Sequence, residues 1–190
     1  MRIIIGVVGP IASGKSVLSK VLQQKGFARL SLSDEVREEV RSRGLEIRRD
    51  LLQDIGNEMR EKFGDGYWAE RLLGKIEQKK SYVIEGIRNP GEIEMLRKLG
   101  NFVLVGIDAP ADKRLERALA RARESDPKTL EEMKKIDERD LGMGEKTSGQ
   151  QVARCMEMAD YLIENNSTLD SFTQKINALL NELLTKHDEK

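Results

Sequence analysis

Residues 9–16 read Gly9-Pro10-Ile11-Ala12-Ser13-Gly14-Lys15-Ser16, which satisfies the pattern G-x-x-x-x-G-K-[ST]. The motif follows directly on Ile3-Ile4-Ile5-Gly6-Val7-Val8, an apolar run of strand character. It leads into Val17, Leu18, Val21 and Leu22 at helical spacing, with Gly26 as the stop. Strand, glycine-rich turn and helix in this order form the context in which such a loop wraps a phosphate chain. Gly9 and Gly14 allow the tight turn, and the amides of Ala12 to Ser16 point inward at a helix N-terminus, where the dipole favours anions. Gly9, Ala12, Ser13, Gly14, Lys15, Ser16 and Val17 are therefore the expected nucleotide-contacting residues. Lys15 is placed to reach the β- and γ-phosphates, and the Ser16 hydroxyl to coordinate Mg²⁺, which takes its other ligands from water and phosphate oxygens. ATP with Mg²⁺ is the cofactor expectation. The loop alone does not choose among GTPases, motors, switches and small-molecule kinases.

Other features narrow that choice. At 190 residues the chain is one ordinary domain, and no internal repeat or linker divides it. Lys and Arg number 33 against 33 Asp and Glu, so no net cationic field exists to hold nucleic acid non-specifically, and no apolar run approaches the ~20 residues that span a bilayer. A single cysteine, Cys155, forms no intramolecular disulfide, and with His187 the only histidine neither a Cys/His zinc set nor a Ser-His-Asp triad can be assembled. Together these features predict a cytoplasmic protein, monomer or homodimer, acting on a small molecule.

Five short β-rich runs alternate with helical stretches: Ile3 to Val8, Ala28 to Leu32, Tyr82 to Glu85, Phe102 to Ile107 and Tyr161 to Glu164. This pattern predicts an α/β chain, a five-stranded parallel sheet between helical layers. Residues 34–80 are helical in pattern and punctuated by Gly44, Gly56, Gly64 and Gly66, an insert suited to covering an acceptor. Residues 125–150 form a second excursion, with Gly142-Met143-Gly144 as a hinge candidate for a lid. The run Leu169, Phe172, Ile176, Leu179, Leu180 has the spacing of an amphipathic closing helix.

Polar groups gather at the carboxyl ends of the second and third predicted strands, where open α/β sheets bind ligands. Leu30-Ser31-Leu32-Ser33-Asp34-Glu35-Val36-Arg37 follows the second strand, and Glu85-Gly86-Ile87-Arg88 closes the third. Two guanidinium groups converging beside the phosphate loop suit a second phosphate, since planar forks match phosphate oxygens bidentately. The same residues have plainer readings: Arg37 pairs with neighbouring carboxylates, and Asp34 caps its helix.

On these segments the sequence resembles the P-loop nucleoside monophosphate kinases, the adenylate-kinase-like and deoxynucleotide-kinase-like proteins, over nearly its whole length. The resemblance implies a P-loop kinase fold and transfer of the ATP γ-phosphoryl group to a nucleoside or deoxynucleoside monophosphate. By position it implies that Ser33, Asp34, Arg37 and Arg88 bind the acceptor and that Glu85 acts on Mg²⁺ through water. It makes Arg117 a donor-base stacking residue, and it gives Arg121, Arg123 and Arg139 to the transferring group. Lys15, Asp34, Arg88, Arg121 and Arg123 form the catalytic set; the alternating spacing of Arg117, Arg121 and Arg123 equally suits a solvated helix face. Asn165-Asn166-Ser167 falls where the family's backbone reads adenine, while the proline that adenylate kinases carry before the third-strand arginine is missing. Asp34 orients a phosphate acceptor but becomes the base if the acceptor is a hydroxyl, as in the sister dephospho-CoA kinases. Those enzymes' His-Pro pair and Pro-Leu-Leu run are absent here. A further alternative is an ATP-dependent switch or assembly factor, which needs the phosphate loop but not a second phosphate site.

Overall fold

A computed structural model describes residues 2–121, 126–140, 142 and 146–188. The elements in chain order are β1 (Ile4–Val8), α1 (Lys15–Gln24), β2 (Ala28–Ser31), α2 (Leu32–Ser42), α3 (Arg49–Phe63), α4 (Tyr67–Leu73) and β3 (Tyr82–Glu85). Then follow α5 (Pro90–Arg97), β4 (Phe102–Asp108), α6 (Ala111–Arg121), α7 (Leu130–Asp140), α8 (Val152–Glu157), β5 (Tyr161–Glu164) and α9 (Leu169–Asp188). All strand pairs are parallel, in the order β2-β3-β1-β4-β5. The expected five-stranded α/β architecture is the one observed. β1 lies at the centre because its five residues are all buried, and Gly6 lets Phe102 and Ile87 close over the strand where a Cβ would collide with both.

Helices cover both faces. On one, Leu18, Leu22, Phe172, Ile176 and Leu180 pack α1 and α9 against Ile3, Ile5 and Val7. On the other, Val36, Ile55, Trp68, Ile93 and Cys155 pack α2, α3, α4, α5 and α8 against Ile4, Val8 and Ile84. Trp68 is fully buried and donates its indole N–H to the Gly56 carbonyl at 3.0 Å, a core role away from any ligand.

Two helix starts matter for the site. α2 begins immediately after β2, with Ser31 as its N-cap in extended conformation and Asp34 and Glu35 in the first turn. Asp34 is thus one turn inside the helix and not its cap, because no loop separates the strand from the helix. α5 starts with Pro90 after Asn89, whose side chain accepts from Gly91 N while Glu92 reaches back to the Asn89 N–H, a complete capping box.

Candidate active site

The phosphate loop lies between the carboxyl end of β1 and α1. Its backbone takes conformations that few residues adopt: Gly9 has φ 152°, Gly14 φ 120°, and Ala12, a non-glycine, φ 58°. At Gly9 a Cβ would run into the Ile107 carbonyl, and at Gly14 into the Asn165 amide. Both glycines are required by the closeness of the loop to β4 and to the turn after β5. Asn165 completes the packing by donating to the Ser13 carbonyl at 2.7 Å.

Lys15 turns back over the loop and donates to the carbonyls of Gly9 at 2.6 Å and Pro10 at 2.7 Å. Its pKa is lowered from 10.5 to about 7, first by removal of the ammonium from water. Arg88 and Arg121 push it the same way, opposed by Asp140 and Glu85. Lys15 and two arginines thus crowd one place, with Asp140 and Glu85 as the opposing carboxylates.

One cavity of about 480 Å³ runs from this loop across the carboxyl edge of the sheet. Ala12, Ser13, Gly14, Lys15, Ser16, Val17, Ser33, Arg37, Glu85, Arg88, Arg117 and Arg121 all line it. Of the expected nucleotide, acceptor, transfer and metal residues, Gly9, Asp34, Arg139 and Asn166 are not on its lining, Arg123 is not described, and the rest reach one space. Gly9 turns its carbonyl to Lys15 Nζ, and Arg123 lies outside the described residues, as do Met143 and Gly144 of the hinge candidate. Asp34 is not on the cavity lining; its side chain is 47% exposed, with Oδ1 accepting from Arg37 at 2.8 Å and Oδ2 from Arg29 at 3.1 Å.

The arginines differ in how they are held. The Arg88 backbone N–H donates to Glu92 Oε2 at 2.8 Å, and Glu92 is fixed by a buried ion pair with Arg60 at 3.0 Å. The Arg88 guanidinium donates to Gln150 at 2.8 Å and lies 3.5 Å from Asp140. Arg121 grips Asp126 with two hydrogen bonds, of 2.5 and 2.6 Å. Arg117 donates to the Asn165 carbonyl at 2.8 Å; burial lowers its pKa, and its Nη1 is a buried donor with no hydrogen-bond partner. An unpaired buried N–H is costly unless something accepts from it.

The region expected to form a lid is fastened to this wall. Asn89 Nδ2 donates to the carbonyls of Thr147 at 2.8 Å and Gly149 at 3.0 Å, and Gln151 N donates to the Arg88 carbonyl at 2.7 Å. On α7, Asp137 accepts two bonds from Arg114, and Arg139 pairs with Asp54 on α3 at 3.0 Å. Arg114 also donates to the Ile11 carbonyl at 3.3 Å, tying α7 to the phosphate loop.

Some lining residues carry no motif signal. Arg29 and Leu169 reach the cavity, beside Ser31 and Gly86 of the quoted segments; Leu169 is an apolar side chain left 63% exposed at the start of α9. An apolar position that completes a helical stripe yet stays exposed is a signal only the structure supplies.

The donor set fits a hydrated divalent cation held largely by substrate phosphates. Ser16 offers a hydroxyl and Glu85 a carboxylate on the same wall, and no cluster of three metal-ligating side chains exists among the described residues.

A family model described as an AAA domain matches residues 5–142. The UPF0200 protein of Sulfurisphaera tokodaii is 34% identical over 181 residues, covering 95% of this chain and 97% of that protein. The UPF0200 protein PH1008 of Pyrococcus horikoshii is 33% identical over 189 residues, covering 96% of this chain and 98% of its own. Among solved structures, a dephospho-CoA kinase from Campylobacter jejuni superposes with a TM-score of 0.59 at 18% identity, covering 98% of this chain and 100% of that one. A shikimate kinase from Acinetobacter baumannii in complex with shikimate gives 0.58 at 16% identity, covering 98% and 95%. At such identities these neighbours share the fold. With its phosphate loop, its strand order and the 5–142 match, the chain has a P-loop kinase-like fold and belongs to the AAA-domain family and to the UPF0200 proteins.

Proposed function

We propose that this protein is an ATP-dependent phosphotransferase that moves the γ-phosphoryl group to the phosphate of a small-molecule acceptor, a nucleoside or deoxynucleoside monophosphate. The observation that carries this reading is the shared cavity, in which Lys15 of the phosphate loop and the guanidinium groups of Arg37, Arg88, Arg117 and Arg121 face one space. One phosphate chain does not need so many cations on two walls; a donor and an anionic acceptor do.

In this reading the loop amides and Lys15 hold the donor's phosphates, and Lys15 leaves its carbonyl partners for the anion. Ser16 and Glu85 would hold Mg²⁺, which would offset the charge of the phosphates. Arg37 and Arg88 clamp the acceptor's phosphate in line, and Arg121 meets the charge on the transferring group. Arg117, with its unpaired donor beside Asn165, faces the donor nucleoside. Residues 34–80 cover the acceptor, and residues 125–150 exclude water as a lid. A phosphate acceptor is anionic at neutral pH and needs no base. The ion pairs of Asp34 with Arg29 and Arg37, two arginines that themselves line the cavity, support this over a hydroxyl acceptor.

The test is ADP formation from ATP and Mg²⁺ with a panel of ribo- and deoxyribonucleoside monophosphates, dephospho-CoA, shikimate, gluconate and no acceptor. Turnover that depends on a monophosphate supports the reading. Turnover only with a hydroxyl acceptor, or ADP release indifferent to every acceptor, overturns it, the latter in favour of a switch.

A further inference from the structure

Arg29 lies on β2 next to β3, in a register that sets Ser31 opposite Glu85 and Arg29 opposite Val83. From two residues back its side chain runs forward to the carboxyl edge of the sheet. Its Nε donates to Glu85 Oε2 at 2.8 Å, its Nη2 lies 2.7 Å from the same oxygen, and its Nη1 donates to Asp34 Oδ2 at 3.1 Å. Arg37 closes the far side of Asp34 at 2.8 Å. The result is a chain of alternating charge, Glu85, Arg29, Asp34, Arg37, that crosses the cleft from the metal side to the acceptor side. Arg29, Glu85 and Arg37 all face the cavity.

Glu85 is thus a carboxylate with a counter-ion in place. A divalent cation drawn to Glu85 meets a guanidinium already on Oε2, and two like charges cannot share that oxygen without mutual repulsion. Glu85 is only 17% exposed, so solvent screens this competition less than it screens the outer pairs of the chain.

We propose that Arg29 is a positioning residue that competes with the divalent cation for Glu85 and so holds down the metal's contribution to nucleotide binding until the guanidinium moves away. This rests on the reading of Glu85 as the metal-side carboxylate beside a nucleotide-binding loop. An anion bound between Arg29 and Arg37 pulls the guanidinium off Glu85, so acceptor phosphate and metal favour one another, by reciprocal linkage.

The experiment measures ADP affinity by calorimetry with Mn²⁺ and with EDTA, and free Mn²⁺ by its spin-resonance signal, in the wild-type protein, R29M, R29Q, R29K, E85Q and R29M/E85Q. The ratio of ADP affinity with Mn²⁺ to that with EDTA isolates the metal's share from any general attraction of phosphate to arginine. Removing Arg29 raises this ratio about two- to five-fold, the range of a partly screened ion pair. The rise disappears in the E85Q background, and R29K keeps the wild-type ratio. A ratio unchanged or lowered in both R29M and R29Q overturns the proposal, as does an equal rise with and without Glu85. No ADP binding by the folded wild-type protein, with or without metal, instead defeats the nucleotide reading beneath it. R29Q and R29M bracket the loss of side-chain packing, and thermal melting verifies that each variant is folded.

Discussion

At the donor end of the cleft the groups facing the cavity are positioned by buried backbone contacts, whereas much of the acceptor end is positioned by half-exposed ion pairs. Ser13, fully buried, is locked to Asn165, and Gly9 and Gly14 press against β4 and the turn after β5 with no room for a Cβ. Across the cleft, Arg29, Asp34 and Arg37 have side chains 37%, 47% and 38% exposed. Exposed ion pairs are worth about 0–1 kcal/mol, so a ligand can exchange partners with them at little expense. In the proposed reading the donor site is preformed for one shape of ligand, and the acceptor site is a set of charges ready to be re-paired. Arg88 breaks the division, since its backbone hangs from the buried Arg60–Glu92 pair while its guanidinium reaches the acceptor side.

The largest effect should come from the donor end. Lys15→Ala removes the one flexible cation of a rigid loop, and phosphoryl transfer should fall by about 10²–10³ or more, as when a preorganised charge at a reacting centre is lost. Steady-state assay on the substrate found by the acceptor panel measures this. Activity within ten-fold of wild type would show that the loop's backbone suffices and that the Lys15 charge is dispensable.

Next in size is Arg88→Ala. Loss of a charge-assisted contact of about 1.5–3 kcal/mol lowers acceptor kcat/KM about 10- to 150-fold. ATP affinity, read by calorimetry, changes little, because the donor's contacts stay in place. Equal losses for donor and acceptor would erase the distinction between the two ends and make Arg88 part of the donor site.

A third prediction uses the proton on Lys15. With a pKa near 7 in the free protein, the amine is mostly neutral at pH 8 and regains its charge when phosphates arrive. Nucleotide binding at pH 8 should take up close to one proton, seen as a dependence of binding enthalpy on the buffer's ionisation heat; below about pH 6 the uptake vanishes. The same shift has a sign for stability. The unfolded chain holds this proton up to about 10.5 and the folded chain releases it near 7, so the Lys15 contribution to stability rises with pH across that window. Binding enthalpy indifferent to buffer at pH 8 would mean that the loop keeps its ammonium charged without a ligand.

The same division explains how much was legible in the sequence. The donor end is a run of eight consecutive residues whose demands on the backbone leave a mark at each glycine. The five strands were legible as short β-rich runs between helical stretches, with bounds that differ from the observed ones by one residue at most. Arg37 and Arg88 were legible through the resemblance, which places each a fixed distance after its strand. Arg29 was not, since a charged residue on the outermost strand of a sheet reads as solvated; only the β2–β3 register brings it to Glu85. Nor was the docking of residues 146–151, which depends on Asn89 and Arg60, 58 and 88 positions away in sequence from the carbonyls they bind. Contacts of that kind leave no local pattern.

The smallest effect, and the sharpest for the acceptor's chemistry, belongs to Asp34→Asn. Asp34 is held only by half-exposed partners, so its neutralisation should change folding stability by no more than about 0.5–1 kcal/mol. If the acceptor brings its own phosphate, Asp34 serves only to orient Arg29 and Arg37, and kcat should drop less than about ten-fold while acceptor KM moves by a similar factor. A general base behaves differently: its removal costs about 10²–10⁴ in kcat. A fall of that size in Asp34→Asn, at unchanged stability and unchanged ATP affinity, would mean that the carboxylate leaves its two arginines to take a proton from a hydroxyl. The acceptor end would then be a site that rearranges around an alcohol, and the class of substrate would have to be reassigned.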